Sequence, residues 1–307
     1  MSTGQIHDLG YKRYVGSRRS FETRWLVIMR HQLSTSWRGW WRYKAWLIAG
    51  IMATATSGSV LYILSGNMIR AISGLAGQQL KLADAMLPLS LTWYCPIGFI
   101  VSVAIGATLV AGDVQSGAFT FYFARSVRPR DYVIGKLAGL GVLVALIMLA
   151  GPFVLAALRL GLSDDLDQLI TLLPILYKAL AVGVLGTLVY AAVPLGFSAA
   201  VTNRRYALAL WAAYYVVIGW MAQGISLVTF PELAALDLGA SLKMVMLNLF
   251  DARVRGRGPS FSTSVALISI GAHAAVAIAL VFWRRWSTLR TLGACALLGL
   301  ASILIPR

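Results

Sequence analysis

The sequence predicts an all-α integral membrane protein. Its expected form is a six-span polytopic helical bundle with an N-terminal amphipathic helix in the membrane interface and a short seventh apolar segment at the C-terminus. Three observations carry this. The 307 residues are 59% hydrophobic and only 12% charged, where soluble domains are about 45–50% apolar and about 25% charged. Mean hydropathy is +0.75. The apolar residues fall into runs of about 20, the length that crosses a hydrocarbon core of about 30 Å as a helix.

Lys and Arg number 27 against 11 Asp and Glu, a formal charge of +16. In a membrane protein such an excess marks cytoplasmic loops and contact with anionic lipid. The basic residues flank apolar runs instead of forming one soluble face, which argues against a nucleic-acid partner. Cys95 and Cys295 lie in apolar segments without metal-ligand spacing and read as core residues. No apolar stretch follows a short basic start as in a signal peptide, so the spans themselves are expected to direct insertion.

Residues 1–44 are basic and expected in the cytoplasm. Ser20 reads as an N-cap and Glu22 sits in the first turn, favoured by the helix dipole. Phe21, Trp25, Ile28, Met29, Leu33, Trp37, Trp40 and Trp41 then recur at helical spacing, interleaved with Arg24, Arg30, Arg38 and Arg42. This pattern fits a helix in the interface, tryptophans at headgroup depth and arginines toward phosphates. A soluble helix packed on a partner is the alternative.

The transmembrane domain is read over 45–287, with spans at 45–64, 88–111, 137–158, 179–201, 207–230 and 264–283. An N-terminus inside places Arg125, Arg128 and Arg130, then Arg204 and Arg205, then Arg284 and Arg285 inside as well, and Asp164, Asp165 and Asp167 outside. That obeys the positive-inside rule. Arg159 and Lys178 fall near the outer boundary, where long basic side chains snorkel toward headgroups. Arg253, Arg255 and Arg257 are placed outside. A full crossing at 233–250 would carry Asp237 and Lys243, each costing about 2.5–3.5 kcal/mol at mid-bilayer. An external or shallow re-entrant amphipathic helix is preferred there. Residues 288–307 form a C-terminal apolar segment, either a short seventh span or an interfacial tail.

The chain is organised around the stretch from Gly112 to Lys136, the largest charged interruption between two spans. It is amphipathic, basic and pinned at both ends, so it is placed to receive a push from a soluble partner. No Gly-rich phosphate loop occurs: Gly135 and Lys136 are followed by Leu137, and position 130 is Arg. His7, His31 and His273 are isolated, with no carboxylate at ligand spacing, and His273 reads as a helix-contact residue. No catalytic residue, bound cofactor or metal site is expected, and any ATP chemistry belongs to another chain.

Three segments carry a family resemblance. Asp8, Leu9, Gly10, Tyr11, Lys12, Arg13, Tyr14, Val15 and Gly16 are followed by Ser17 and Arg18. Asp113, Gly117, Arg125, Tyr132 and Lys136 punctuate the central stretch, with Ala118 and Ser126 departing from the family's threonine and proline. Leu195 to Arg205 closes the fourth span. On these residues the chain resembles, over nearly its whole length, the permease subunits of type-2 class bacterial ABC exporters. The resemblance implies six spans per subunit and a second permease subunit, as homodimer or heterodimer. It also implies cytosolic ABC ATPase subunits that hold ATP and Mg, in a bacterial inner membrane. Export of a hydrophobic or amphipathic substrate would follow. The alternative is a non-transporting component that assembles or transmits motion within an ATPase complex.

The resemblance also implies that the N-terminal helix and the central loop touch the ATPase. Coupling would fall on Asp113, Gly117, Phe119, Phe121, Arg125, Arg128, Arg130 and Lys136. A short helix over Ser116 to Ala124 would put Phe119, Phe121, Tyr122 and Phe123 into an ATPase cleft, with Arg128 and Arg130 meeting acidic residues at its rim. An interfacial aromatic belt is the alternative for the phenylalanines. The family's second and fifth spans are expected at the dimer interface. Trp93 and Tyr94 on the second and Trp211, Tyr214 and Tyr215 on the fifth are candidates to line a substrate path, or else ordinary anchors and packing residues.

Overall fold

The computed structural model describes residues 21–65, 76–118, 127–163, 165–250 and 261–283. The N-terminal cluster at 8–16, Phe119, Phe121, Arg125, the arginines at 253, 255, 257, 284 and 285, and the segment 288–307 lie outside the described residues. Among the described residues every regular element is a helix. Six helices are long and apolar enough to cross a membrane: Trp40–Leu64, Leu87–Gln115, Pro129–Gly161, Leu166–Ala200, Arg204–Ser226 and Thr263–Trp283. The chain is a multi-pass membrane protein.

Helix α1 (Arg24–Arg38) ends at Gly39, whose extended backbone breaks the helix before a π-helical turn at Trp40–Lys44. The first span continues as α2 (Ala45–Ser65). The second is α3 (Ala76–Val101), a π-helical turn at Ser102–Gly106 and α4 (Ala107–Gln115). The third is α5 (Pro129–Met148) and α6 (Ala150–Gly161). A short α7 (Leu166–Leu172), capped by the Asp165 carboxylate accepting from the Gln168 N–H at 2.7 Å, leads into the fourth, α8 (Pro174–Ala200). The fifth is α9 (Arg204–Ala213), a π-helical turn at Tyr214–Ile218 and α10 (Gly219–Ser226). Helix α11 (Leu238–Leu249) precedes the sixth, α12 (Thr263–Trp283).

Lipid tails are as apolar as leucine, so spans associate by close packing at small residues. A Cβ on Gly196 would sit 2.5 Å from Ala277 Cα, which makes this the tight crossing of the fourth and sixth spans. A Cβ on Gly151 would sit 2.6 Å from the Tyr94 ring, so that glycine admits the second span's tyrosine against the third. The third span is the hub, 50% of its apolar window being buried inside the protein, against 17% for the fifth.

Two connections differ from simple loops. Helix α1 runs lengthwise along α5 in the same direction: Ile28 packs on Gly135 and Gln32 on Gly139, one turn further along each helix. The buried stripe of α1 is thus Ile28, Gln32 and Ser36, while Trp37, Trp40 and Trp41 remain exposed. Helix α11, with 12 residues, is too short to cross. Its cap Asp237 lies against Gly219, about two turns of helix before the C-terminal end of α10. The chain therefore dips back beside the fifth span through a 3-10 turn at Pro231–Leu236 and climbs out again as α11. Arg159 differs from the expected snorkelling: it is 1% exposed, enclosed by protein instead of reaching outward.

Candidate functional site

The central stretch is held by its stem. Helix α4 carries Asp113 beyond the apolar run and ends at Gly117, whose φ of +70° is the left-handed conformation that glycine adopts without strain at a helix C-terminus. On the return side Pro129 occupies the first turn of α5, and the Asp131 carboxylate accepts from the Arg128 N–H at 3.2 Å. Tyr132 and Lys136 are one turn apart on α5 and share a face. Both reach Asp113. The Lys136 Nζ is 2.7 Å from Asp113 Oδ2, and the Tyr132 hydroxyl donates to the same oxygen at 2.8 Å. The ammonium also lies 5.5 Å from the Tyr132 ring centroid, within cation–π range.

This brace is largely removed from water: the side chains of Lys136 and Asp113 are 7% and 19% exposed. A buried pair of this kind is satisfied only when both charges and their hydrogen bonds are in place. Arg128 and Arg130, beyond it, are exposed, and Arg130 makes only a 3.8 Å contact with Asp131. Asp113, Gly117, Arg128, Arg130 and Lys136 are therefore brought to one end of the bundle. Asp113 and Lys136 are paired, and the arginines face outward.

Ser198 supports the stem from the fourth span. Its hydroxyl accepts from the Val110 N–H at 2.9 Å and the Ala111 N–H at 3.0 Å. These donors lie in the first turns of α4, just after the π-helical turn at Ser102–Gly106. The Asn203 side chain caps α9, and Gln115 at the end of α4 accepts from the Arg204 N–H at 3.4 Å. The stem thus touches the second, third, fourth and fifth spans.

A second constellation fills the bundle. Trp211 is fully buried and donates its indole N–H to Ser102 Oγ at 2.8 Å. Phe99 stacks on Tyr215 with centroids 4.2 Å apart, and Tyr190 and Tyr215 share a 2.7 Å hydroxyl contact. Tyr214 bonds His273, whose other ring nitrogen donates to the Ser269 carbonyl at 2.7 Å. Gln223 bonds the Asp237 carboxylate, which also accepts from the Gly239 and Ala240 N–H groups and so caps α11. Tyr94, also fully buried, meets Thr54 Oγ1 at 2.6 Å. Of the path-lining candidates, Tyr94, Trp211, Tyr214 and Tyr215 face the chain's own interior, and Trp93 alone is on the outside, 64% exposed.

Sequence reasoning gave no role to Ser102, Ser198, Tyr190 or Gln223. Asp237 carried a signal, because an acid at membrane depth needs a partner. Ser198 lies at the serine of the Leu195–Arg205 segment that carried the resemblance, but with no contact assigned to it, and Ser102 carried no signal. Among the described residues no three His, Cys, Asp or Glu side chains converge as a metal site requires. No family model matches the chain. No curated protein matches it either.

Proposed function

We propose that the chain is the transmembrane permease subunit of an ATP-driven exporter, in which a separate ABC ATPase pushes on the connection between the second and third spans. The observation that carries this reading is the Asp113–Tyr132–Lys136 brace with exposed Arg128 and Arg130 beyond it. A connection that merely returned the chain to the membrane would need no buried ion pair at its stem. One that receives force needs a rigid base, so that a push moves both spans together. Exposed arginines suit the acidic rim of a soluble partner and set orientation on docking. The N-terminus and this connection lie in the cytoplasm, α1 at the inner membrane boundary, ATP and Mg on the partner. A second permease copy covers the fifth span, whose apolar window is buried only to 17% within this subunit.

The burial of Tyr94 and Trp211 inside the subunit favours a second reading, a motion-transmitting component that moves no substrate. Purification from native membranes separates the readings. A stoichiometric ATPase with vanadate-sensitive hydrolysis is expected under both, and its absence sinks both. ATP-dependent transport in sealed vesicles by the purified complex is expected under the first alone.

A further inference from the structure

We propose that the outward face of α1 and the turn at Trp40–Lys44 form a binding site for anionic phospholipid headgroups. The inference rests on the membrane placement of the bundle and not on the exporter reading. Two independent observations point to it.

The first is an uncompensated charge. Between Glu22 and Asp84 the sequence has no acidic residue. Arg30, Arg38 and Arg42 are exposed and have no carboxylate partner among the described residues. Lys44 lies over the Trp37 ring at 5.7 Å. No described side chain supplies the counter-charge, and an anionic headgroup can.

The second is the mixture of side chains on a rigidly held surface. The face of α1 turned away from the bundle carries Leu26, Val27 and Trp37 together with Arg30 and Arg38. Trp40 and Trp41 follow, 54% and 77% exposed, with Arg42. A water-facing surface would be polar and a tail-facing one apolar. Tryptophan and arginine side by side match the headgroup layer, apolar on one side and anionic on the other.

The backbone beneath is fixed. Gly135 and Gly139 let α1 seat closely on α5, the buried Tyr43 donates to the Leu143 carbonyl at 2.9 Å, and the Trp46 indole donates to the Trp41 carbonyl at 3.0 Å. The arginines are therefore presented from a scaffold, as a site, and not from a loose basic tail.

The test uses the full-length protein in a neutral detergent with defined lipid. Native mass spectrometry reads the retained phosphatidylglycerol against phosphatidylcholine. The parent should retain phosphatidylglycerol preferentially. Arg38→Gln with Arg42→Gln should lower that preference about thirtyfold, which corresponds to roughly 2 kcal/mol at about 1 kcal/mol per cation near an anionic surface. Arg204→Gln with Arg205→Gln, exposed cations at the start of the fifth span, should leave it intact. Equal preference in the parent and the Arg38/Arg42 variant overturns the proposal. So does an equal loss from both arginine pairs, which would be a delocalised charge effect. If inorganic phosphate displaces the lipid fully at millimolar concentration, the site reads free phosphate and the lipid assignment fails. Because these arginines are exposed, an unchanged thermal transition of the variant certifies its fold.

Discussion

The brace at the loop stem and the aromatic network in the bundle share the second span and hold it to different neighbours by opposite means. The brace concentrates its attraction in one ion pair and one hydroxyl, with Asp113 meeting two side chains of a single helix. The network around Trp211 spreads over neutral rings and hydroxyls from the second, fourth, fifth and sixth spans, with the Asp237 carboxylate beyond it held by Gln223 and two backbone N–H groups, and Trp211 touches Phe99, Phe197, Tyr214 and Tyr215 at once. The difference teaches where each device works. In hydrocarbon a lone charge is costly and small neutral dipoles are affordable, so the interior uses hydrogen-bonded aromatics. At the end of the bundle a shielded ion pair is strong and still breakable, which is what the proposed coupling role would need.

The largest expected effect breaks the brace. Lys136→Met leaves the Asp113 carboxylate without its cation and should destabilise by about 3–5 kcal/mol, the cost typical of removing one partner of a buried pair. Asp113→Asn combined with Lys136→Met should recover most of that loss, because no charge is then orphaned. Thermal unfolding of the three variants in detergent reads the difference. Additive losses in the double variant would show that the two charges do not act as a pair. Being shielded, the pair should also respond little to salt.

The network should fail more gently. Trp211→Phe keeps a ring in place but removes the indole donor, leaving Ser102 without that bond, for a loss of about 1–3 kcal/mol. Adding Ser102→Ala should cost little more, since the partner is already gone. A double-variant transition well below that of Trp211→Phe alone would show that Ser102 acts elsewhere.

A smaller effect of opposite sign is expected at α1. The Gln32 amide is buried and neither of its polar atoms has a partner among the described residues. Gln32→Leu should stabilise the protein by about 1 kcal/mol by removing an unsatisfied polar group. Destabilisation would mean that the amide finds a partner in the membrane.

The spans were legible because apolar runs of crossing length announce themselves. Their extensions were not. The second and third helices continue past the expected spans to Gln115 and back from Pro129. Hydropathy ends where Asp113, Tyr132 and Lys136 begin to look like loop. The same polar residues marked the stretch as important, yet only the fold brings three of them within hydrogen-bond distance. Asp237 argued against a full crossing at 233–250, and the helix there, Leu238–Leu249, has 12 residues. It could not disclose that the carboxylate caps that short helix and lies against Gly219 of the fifth span. Gly135 and Gly139 had no visible meaning until α1 was seen to lie on them.

The central claim is that the second-to-third connection docks a soluble ATPase through charges that the fold itself does not need. Arg128 and Arg130 are exposed and outside the brace. Substitution at such surface positions changes stability by no more than about 0.5 kcal/mol. The decisive measurement compares the parent with the Arg128→Glu, Arg130→Glu variant purified from native membranes, reading the thermal transition and the co-purified vanadate-sensitive ATP hydrolysis together. The account predicts an unchanged transition and a loss of most of the hydrolysis. Full hydrolysis in the variant, or none in the parent, would contradict it.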